Sequence, residues 1–281
     1  MPANIKTLIE GIPKLGSHRG IIEEIEKALD NPQITLEELG EVIEKDPAVT
    51  VRLLHLANSP FYGFPNRLET VPDALNLIGI QQVQDLINAA TVIEIFEGLS
   101  PRQVNMKSFW LHSLACGVAA RLLALDQRLP KAEKYFVAGL LHDVGRLVLY
   151  SREPELARQV LEEYAASQQP LHQKEREVLG FDHTEIAEAL LRSWNFPANL
   201  VQAVRFHHAP MSSTSFQREA ALVHVADYLV NAMELGGSGE NGVLPLEKAA
   251  AVRLNLGPEG LEALMDAIDS QMGAVVEVFL R

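Results

Sequence analysis

The 281-residue sequence predicts an all-α fold. Three observations carry that expectation. Apolar residues recur with the helical period along nearly the whole chain, strand-like alternation is missing, and the periodic segments are separated by helix caps or by Pro and Gly.

Thr35-Leu36-Glu37-Glu38 reads as a capping box. Asp46-Pro47 supplies an N-cap with proline at the first helical position, and Val49, Leu53, Leu56 and Ala57 follow at helical spacing. NSPFYGFPN (58–66) is rich in turn formers and reads as a loop. Helices are expected over 72–77 and, beyond Gly79, over 81–96. The second half reads as helices over 105–125, 132–144 (ended by Gly145), 154–166, 171–179, 184–194, 197–208 and 216–234, closed by 245–254 and 259–279. GGSGENG (236–242) is the most flexible stretch by composition.

The break at Ser100-Pro101 divides the chain into an N-terminal helical subdomain (1–100), a metal-binding helical domain (101–235) and a Gly-rich loop with C-terminal helices (236–281). The connection GLSPRQVN is short and poor in Gly and Ser, so the N-terminal bundle is expected to pack on the second domain and not to hang from a tether.

A hydrophobic content of 47% suits a packed core. The single cysteine, Cys116, allows no intramolecular disulfide and fits a reducing, cytoplasmic setting. The net charge of -13, with no basic run, argues against binding a nucleic-acid backbone or an anionic membrane surface. No apolar run approaches the roughly 20 residues of a membrane span, and the N-terminus lacks the pattern of a secretory signal.

The chemistry centres on His142-Asp143, in GLLHDVGR at the end of an apolar helix. An unpaired carboxylate in a core is costly. A metal removes that cost, and the carboxylate can place one oxygen on each of two ions. His112 shares a helix face with Ser108, Ala115, Cys116 and Ala119, small residues that would let another helix approach. His183 opens a helix, His207-His208 closes one, and Asp227 sits in an apolar helix one turn after His224. Taken singly, each has an ordinary reading. His112 would be a hydrogen-bonded core residue, Asp227 a partner of Arg205 or Arg218 or a turn cap, His207-His208 a solvated pair, and His224 a core residue or a support behind the ligands. The ordered set is the signal.

That set, His112, His142-Asp143, His183, His207-His208 and Asp227, resembles the metal motif of the HD phosphohydrolase superfamily. Ile12-Pro13-Lys14-Leu15, DPAVTVRLLHLANSPFYG and VPDALNLIG make the chain similar to the HDOD branch over residues 12–228. The resemblance implies a helical fold, a bacterial signal-transduction role and a binuclear centre. Asp143 would bridge two divalent transition metals, with His112, His142 and Asp227 on one and His183, His207 and His208 on the other. Mixed nitrogen and oxygen donors suit iron, manganese, nickel or zinc.

The related HD-GYP branch hydrolyses cyclic di-GMP, and this sequence departs from it. Arg146 stands where that branch has a phosphate-contacting lysine, APMSSTS replaces the GYP signature, and Ser108 replaces a carboxylate used for a third metal. Two readings follow. One is a signalling output or interaction module, with signalling proteins or a small phosphorylated ligand as partners. Phe61, Tyr62 and Phe64 would then form a docking loop, unless they fold back on the core. The other is a two-metal phosphohydrolase of a nucleotide or cyclic nucleotide, with Asp143 catalytic and Arg146 gripping a substrate phosphate through two parallel hydrogen bonds. An open centre with a free coordination position favours the enzyme; a closed one favours the module.

Overall fold

The computed structural model describes residues 4–13, 20–97, 101–240 and 242–280. Lys14 and Leu15 of the first signature, the division point at Ser100 and Asn241 of the Gly-rich stretch lie outside the described residues. Every element among the described residues is helical, as the sequence predicts.

The chain forms two compact units. One joins Pro13–Glu97 to Asp269–Arg281, and the other joins Met1–Ile12 to Gly98–Ile268. The sequence reading kept 1–100 together and assigned 236–281 to a separate tail. In the structure a short first helix, α1 (Ile5–Ile9), lies in the second unit, where Arg152 Nη2 donates to the Glu10 carbonyl at 3.0 Å.

The Pro13–Glu97 unit contains α2 (Gly20–Leu29), α3 (Leu36–Glu44), α4 (Pro47–Ala57), α5 (Val71–Ile78) and α6 (Ile80–Glu97). Thr35 and Glu38 form the reciprocal capping box at the start of α3. The Asp46 carboxylate accepts from the Ala48 and Val49 N–H groups ahead of Pro47. Ile25, Leu39, Ile43, Leu56 and Leu75 are buried in this unit, and Arg52 of α4 pairs with Glu94 of α6. The aromatic loop is folded back: Phe61 is buried, and the Tyr62 and Phe64 rings stack at 5.4 Å.

The other unit is built on α7 (Met106–Asp126), α8 (Glu133–Leu141), α9 (Val144–Arg152), α10 (Pro154–Ala165), α11 (Leu171–Leu179), α12 (His183–Ser193), α13 (Ala198–Arg205) and α14 (Gln217–Ala232). The short α15 (Lys248–Arg253) follows, and α16 (Pro258–Leu280) closes the chain. By length and composition α7 could cross a membrane, which the search for apolar runs overlooked. It is instead the central core helix of its unit, buried from Phe109 to Ala124 at most positions and flanked by α8 and α14.

The helix expected over 132–144 is two helices. The chain turns at His142-Asp143 and resumes as α9, running straight through Gly145. Gly145 therefore does not end a helix. It is the crossing point with α12, where a Cβ would stand 2.0 Å from the His183 carbonyl oxygen. That contact sets the two halves of the site against each other.

Candidate metal centre

The turn between α8 and α9 points Asp143 inward, and four other elements bring histidines and a second carboxylate to it. The seven residues expected to ligate converge in two groups. His112, His142 and Asp227, joined by Cys116, form the first; Asp143, His183, His207 and His208 form the second; the ligand atoms within each lie within 4.8 Å of one another. His112 Nε2 is 3.3 Å from Asp227 Oδ1, and His142 Nε2 is 3.7 Å from the same oxygen. Asp143 faces both groups. Its Oδ2 is 3.3 Å from His142 Nε2, and its Oδ1 is 3.0 Å from His183 Nε2 and 4.0 Å from His207 Nε2.

Proximity here does not satisfy the donors. His142 Nε2, Asp143 Oδ1, His183 Nε2, His207 Nε2 and His208 Nε2 are buried and make no hydrogen bond among the described residues, because the close pairs are misaligned for one. A buried polar atom left unpaired costs on the order of 1–3 kcal/mol, so five in one place call for a shared partner. Three of the opposite ring nitrogens are tied down. His142 Nδ1 is 2.7 Å from the Gly139 carbonyl, His207 Nδ1 is 2.8 Å from that of Val204, and His183 Nδ1 is 2.6 Å from Glu175 Oε2. Each donates from Nδ1 and turns Nε2 toward the cluster, the orientation that metal-binding histidines adopt.

The charge states suit a cation. Burial works against the Asp143 carboxylate, but Arg146, His142 and His183 outweigh it and hold its pKa well below the ordinary value. Asp227 is likewise buried and likewise lowered, by His112 and His142. Burial, with neighbouring histidines, pushes His207 and His208 well below the usual imidazole range, so both are neutral. Burial also opposes the charged form of His183, yet Glu175 and Asp143 raise it to about 9. A cation in the cluster would replace that proton. The donor set and its orphaned atoms fit a metal.

Glu175 and His172 escaped the sequence reading, and His224 is placed by the structure as a supporting residue. Glu175 of α11 is buried and holds His183 twice, accepting from its backbone N–H at 2.8 Å and from its ring. We expect Glu175→Ala to weaken metal retention about 10- to 100-fold, the usual cost of losing a carboxylate that orients a ligating histidine; competition with a chelator measures it. His172 stacks on His208 with ring centroids 4.1 Å apart, and burial lowers it to about 4. His224 lies behind the cluster, with Nδ1 2.8 Å from the His207 carbonyl while Nε2 accepts from the Glu247 N–H at 2.9 Å. Asp227 takes neither arginine considered for it; its other partner is Asn231 Nδ2 at 2.7 Å.

Arg146 is committed to the protein. Its Nε donates to Glu175 Oε1 at 3.2 Å, Nη1 to Asp143 Oδ2 at 3.0 Å and Ser238 Oγ at 2.6 Å, and Nη2 to Glu240 Oε2 at 3.2 Å. It is only 1% exposed, and four of its five N–H donors are taken, which leaves too few for the two-bond grip on a substrate phosphate. Ser238 and Glu240 come from GGSGENG. In place of the flexible loop its composition suggested, residues 236–240 form a strap. The Gly237 N–H donates to the Ser108 carbonyl at 3.2 Å, Tyr150 Oη donates to the Ser238 carbonyl at 2.8 Å, and the Leu171 N–H donates to Glu240 Oε1 at 2.9 Å. Gly236 has φ +77°, and a Cβ there would stand 2.3 Å from the Ser108 carbonyl oxygen. Glycine serves close approach here and not mobility.

The HDOD domain family model matches residues 15–210, which span both the N-terminal signature and the histidine cluster. The chain belongs to the HDOD family. It is 30% identical over 211 residues to an uncharacterized protein of Treponema pallidum (strain Nichols), a match covering 74% of this chain and 40% of that protein. The match thus spans about two fifths of the length of that relative. An HDOD domain protein with unknown function from Geobacter sulfurreducens superposes with a TM-score of 0.77 at 26% identity, covering 99% of this chain and 97% of that one. A candidate phosphohydrolase from Shewanella amazonensis SB2B shares the fold, with a TM-score of 0.75 at 21% identity over 99% of this chain and 98% of its own.

Proposed function

We propose that this HDOD protein is a bacterial signal-transduction module whose binuclear metal centre organises the fold and is not used for turnover. Asp143 would bridge two divalent transition metals, with His112, His142 and Asp227 on one and His183, His207 and His208 on the other. The observation that carries the reading is the engagement of Arg146. A centre built for phosphoester hydrolysis keeps a cationic donor for the phosphate, whereas here Asp143, Glu175, Ser238 and Glu240 take every donor nitrogen of the only guanidinium beside the cluster among the described residues. The near-complete burial of His142, Asp143, His183 and His207 agrees with a sealed site. In such a site the metals supply cross-links between helices, and partner recognition falls to the protein surface. Partners would be signalling proteins or a small phosphorylated ligand. The acidic charge of -13 disfavours nucleic acid and anionic membranes and suits a cytoplasmic protein.

The test is elemental analysis joined to a phosphoester screen. Protein purified without chelator should carry about two transition-metal ions per chain. Reloaded with iron, manganese, nickel or zinc, it should not turn over cyclic di-GMP or other nucleotide esters. Sustained turnover abolished by Asp143→Asn would establish the competing phosphohydrolase instead. One observation favours that second reading: among the candidate ligands only His208 is partly exposed, beside the stacked ring of His172.

A further inference from the structure

We propose that Cys116 is a metal ligand, its thiolate joining His112, His142, Asp227 and the bridging Asp143 as the fifth protein donor to one ion. This rests on the metal-centre reading and goes beyond it, since the superfamily motif supplies only histidines and aspartates.

The placement comes from α7. Cys116 follows His112 by four residues, so both side chains project from the same face. Cys116 Sγ lies 3.7 Å from His112 Nε2, the atom that also meets Asp227 Oδ1 at 3.3 Å. His142 Nε2, fully buried and without a hydrogen bond, is 3.7 Å from that Asp227 oxygen. Around one ion with metal–ligand bonds of about 2.0–2.3 Å, neighbouring donors lie on the order of 3–4 Å apart. The observed separations already fall in that range.

Charge balance gives a second argument. Around the cluster Asp143, Asp227 and Glu175 are buried carboxylates and the half-buried Glu240 supplies a fourth, against one guanidinium from Arg146. Three net negative charges against two divalent cations leave one positive charge in a dry interior. A thiolate at Cys116 cancels it. On binding, the S–H proton passes to solvent and the sulfur lone pair forms the metal bond, so no oxidant or co-reactant is needed.

The consequence is an asymmetric centre. Five protein donors, Asp143 included, close the first ion, and a soft sulfur makes that position favour zinc or ferrous iron over manganese. The second position keeps only nitrogen and oxygen donors.

The experiment uses the full chain, stripped and reloaded with cobalt(II). Wild-type protein should show thiolate-to-cobalt charge-transfer absorption in the near ultraviolet together with visible ligand-field bands. Cys116→Ser should lose the charge-transfer band, retain visible absorption from the second ion, and bind zinc at least about 10-fold more weakly while manganese affinity changes little. Cobalt binding by wild-type protein without the charge-transfer band would overturn the cysteine assignment and leave the histidine–aspartate centre standing. Failure to bind cobalt at all would overturn both. The wild-type spectrum decides the question even if the serine variant folds poorly.

Discussion

Asp143→Ala should strip the protein of nearly all its metal, whereas His224→Ala should leave most of it bound. The two oxygens of Asp143 face different halves of the cluster, one toward His142 and the other toward His183 and His207. Removing them takes a donor from both ions at once and also frees the Arg146 Nη1 that bonds to Oδ2. His224 touches no candidate ligand atom and acts only through the His207 carbonyl. Its loss belongs to the class of supporting contacts that cost about 10- to 100-fold in affinity. Metal content of the two variants, purified side by side, is the measurement. Equal content would show that Asp143 does not bridge.

The second large effect lies at Arg146. Arg146→Met should destabilise the metal-free protein by about 3–5 kcal/mol, because removing one partner of a buried ion network leaves the others uncompensated. Asp143, Glu175 and Glu240 would all be stranded in the core. At about 2–4 °C per kcal/mol for a unit of this size, the thermal midpoint should fall on the order of 10 °C. Arg158→Ala is the control. That arginine pairs with Glu155 and Glu162 on the exposed face of α10, and its loss should scarcely move the midpoint. Metal should rescue much of the Arg146→Met defect, since two cations offset the same carboxylates. A variant no less stable than wild type in chelator would mean that the carboxylates around Arg146 do not depend on it for their charge balance.

The helices and the ligand cluster were legible in the sequence for different reasons. Helix positions follow from local caps and periodicity, and Thr35, Asp46 and Asn105 cap helices where their side chains indicate. The seven candidate ligands stood out because each is polar in an apolar pattern. What stayed hidden depends on contacts distant in sequence. Gly145 looks like a helix terminator until α12 is seen crossing it. Glu175 lies in LHQKEREVL among charged neighbours, and its only clue is that it follows the buried Leu171 by four residues on the same face. Glu240 and Ser238 were masked by the glycines around them, whose composition is the same for a loose linker and for a tight strap. Cys116 was read as a small packing residue, although its spacing from His112 also marked it as a possible donor.

The strap also bears on time. Residues 236–240 are anchored at Ser108, Arg146, Tyr150 and Leu171, four points on three different helices, so they cannot lift without breaking several bonds together. Such a segment opens as a cooperative unit, with a free energy well above that of a fraying loop. A cluster beneath it exchanges its contents no faster than the strap opens. The centre would therefore be filled as the chain folds and would keep its ions through later swings in cellular metal supply, a record of the conditions under which the protein was made and not a gauge of the present ones.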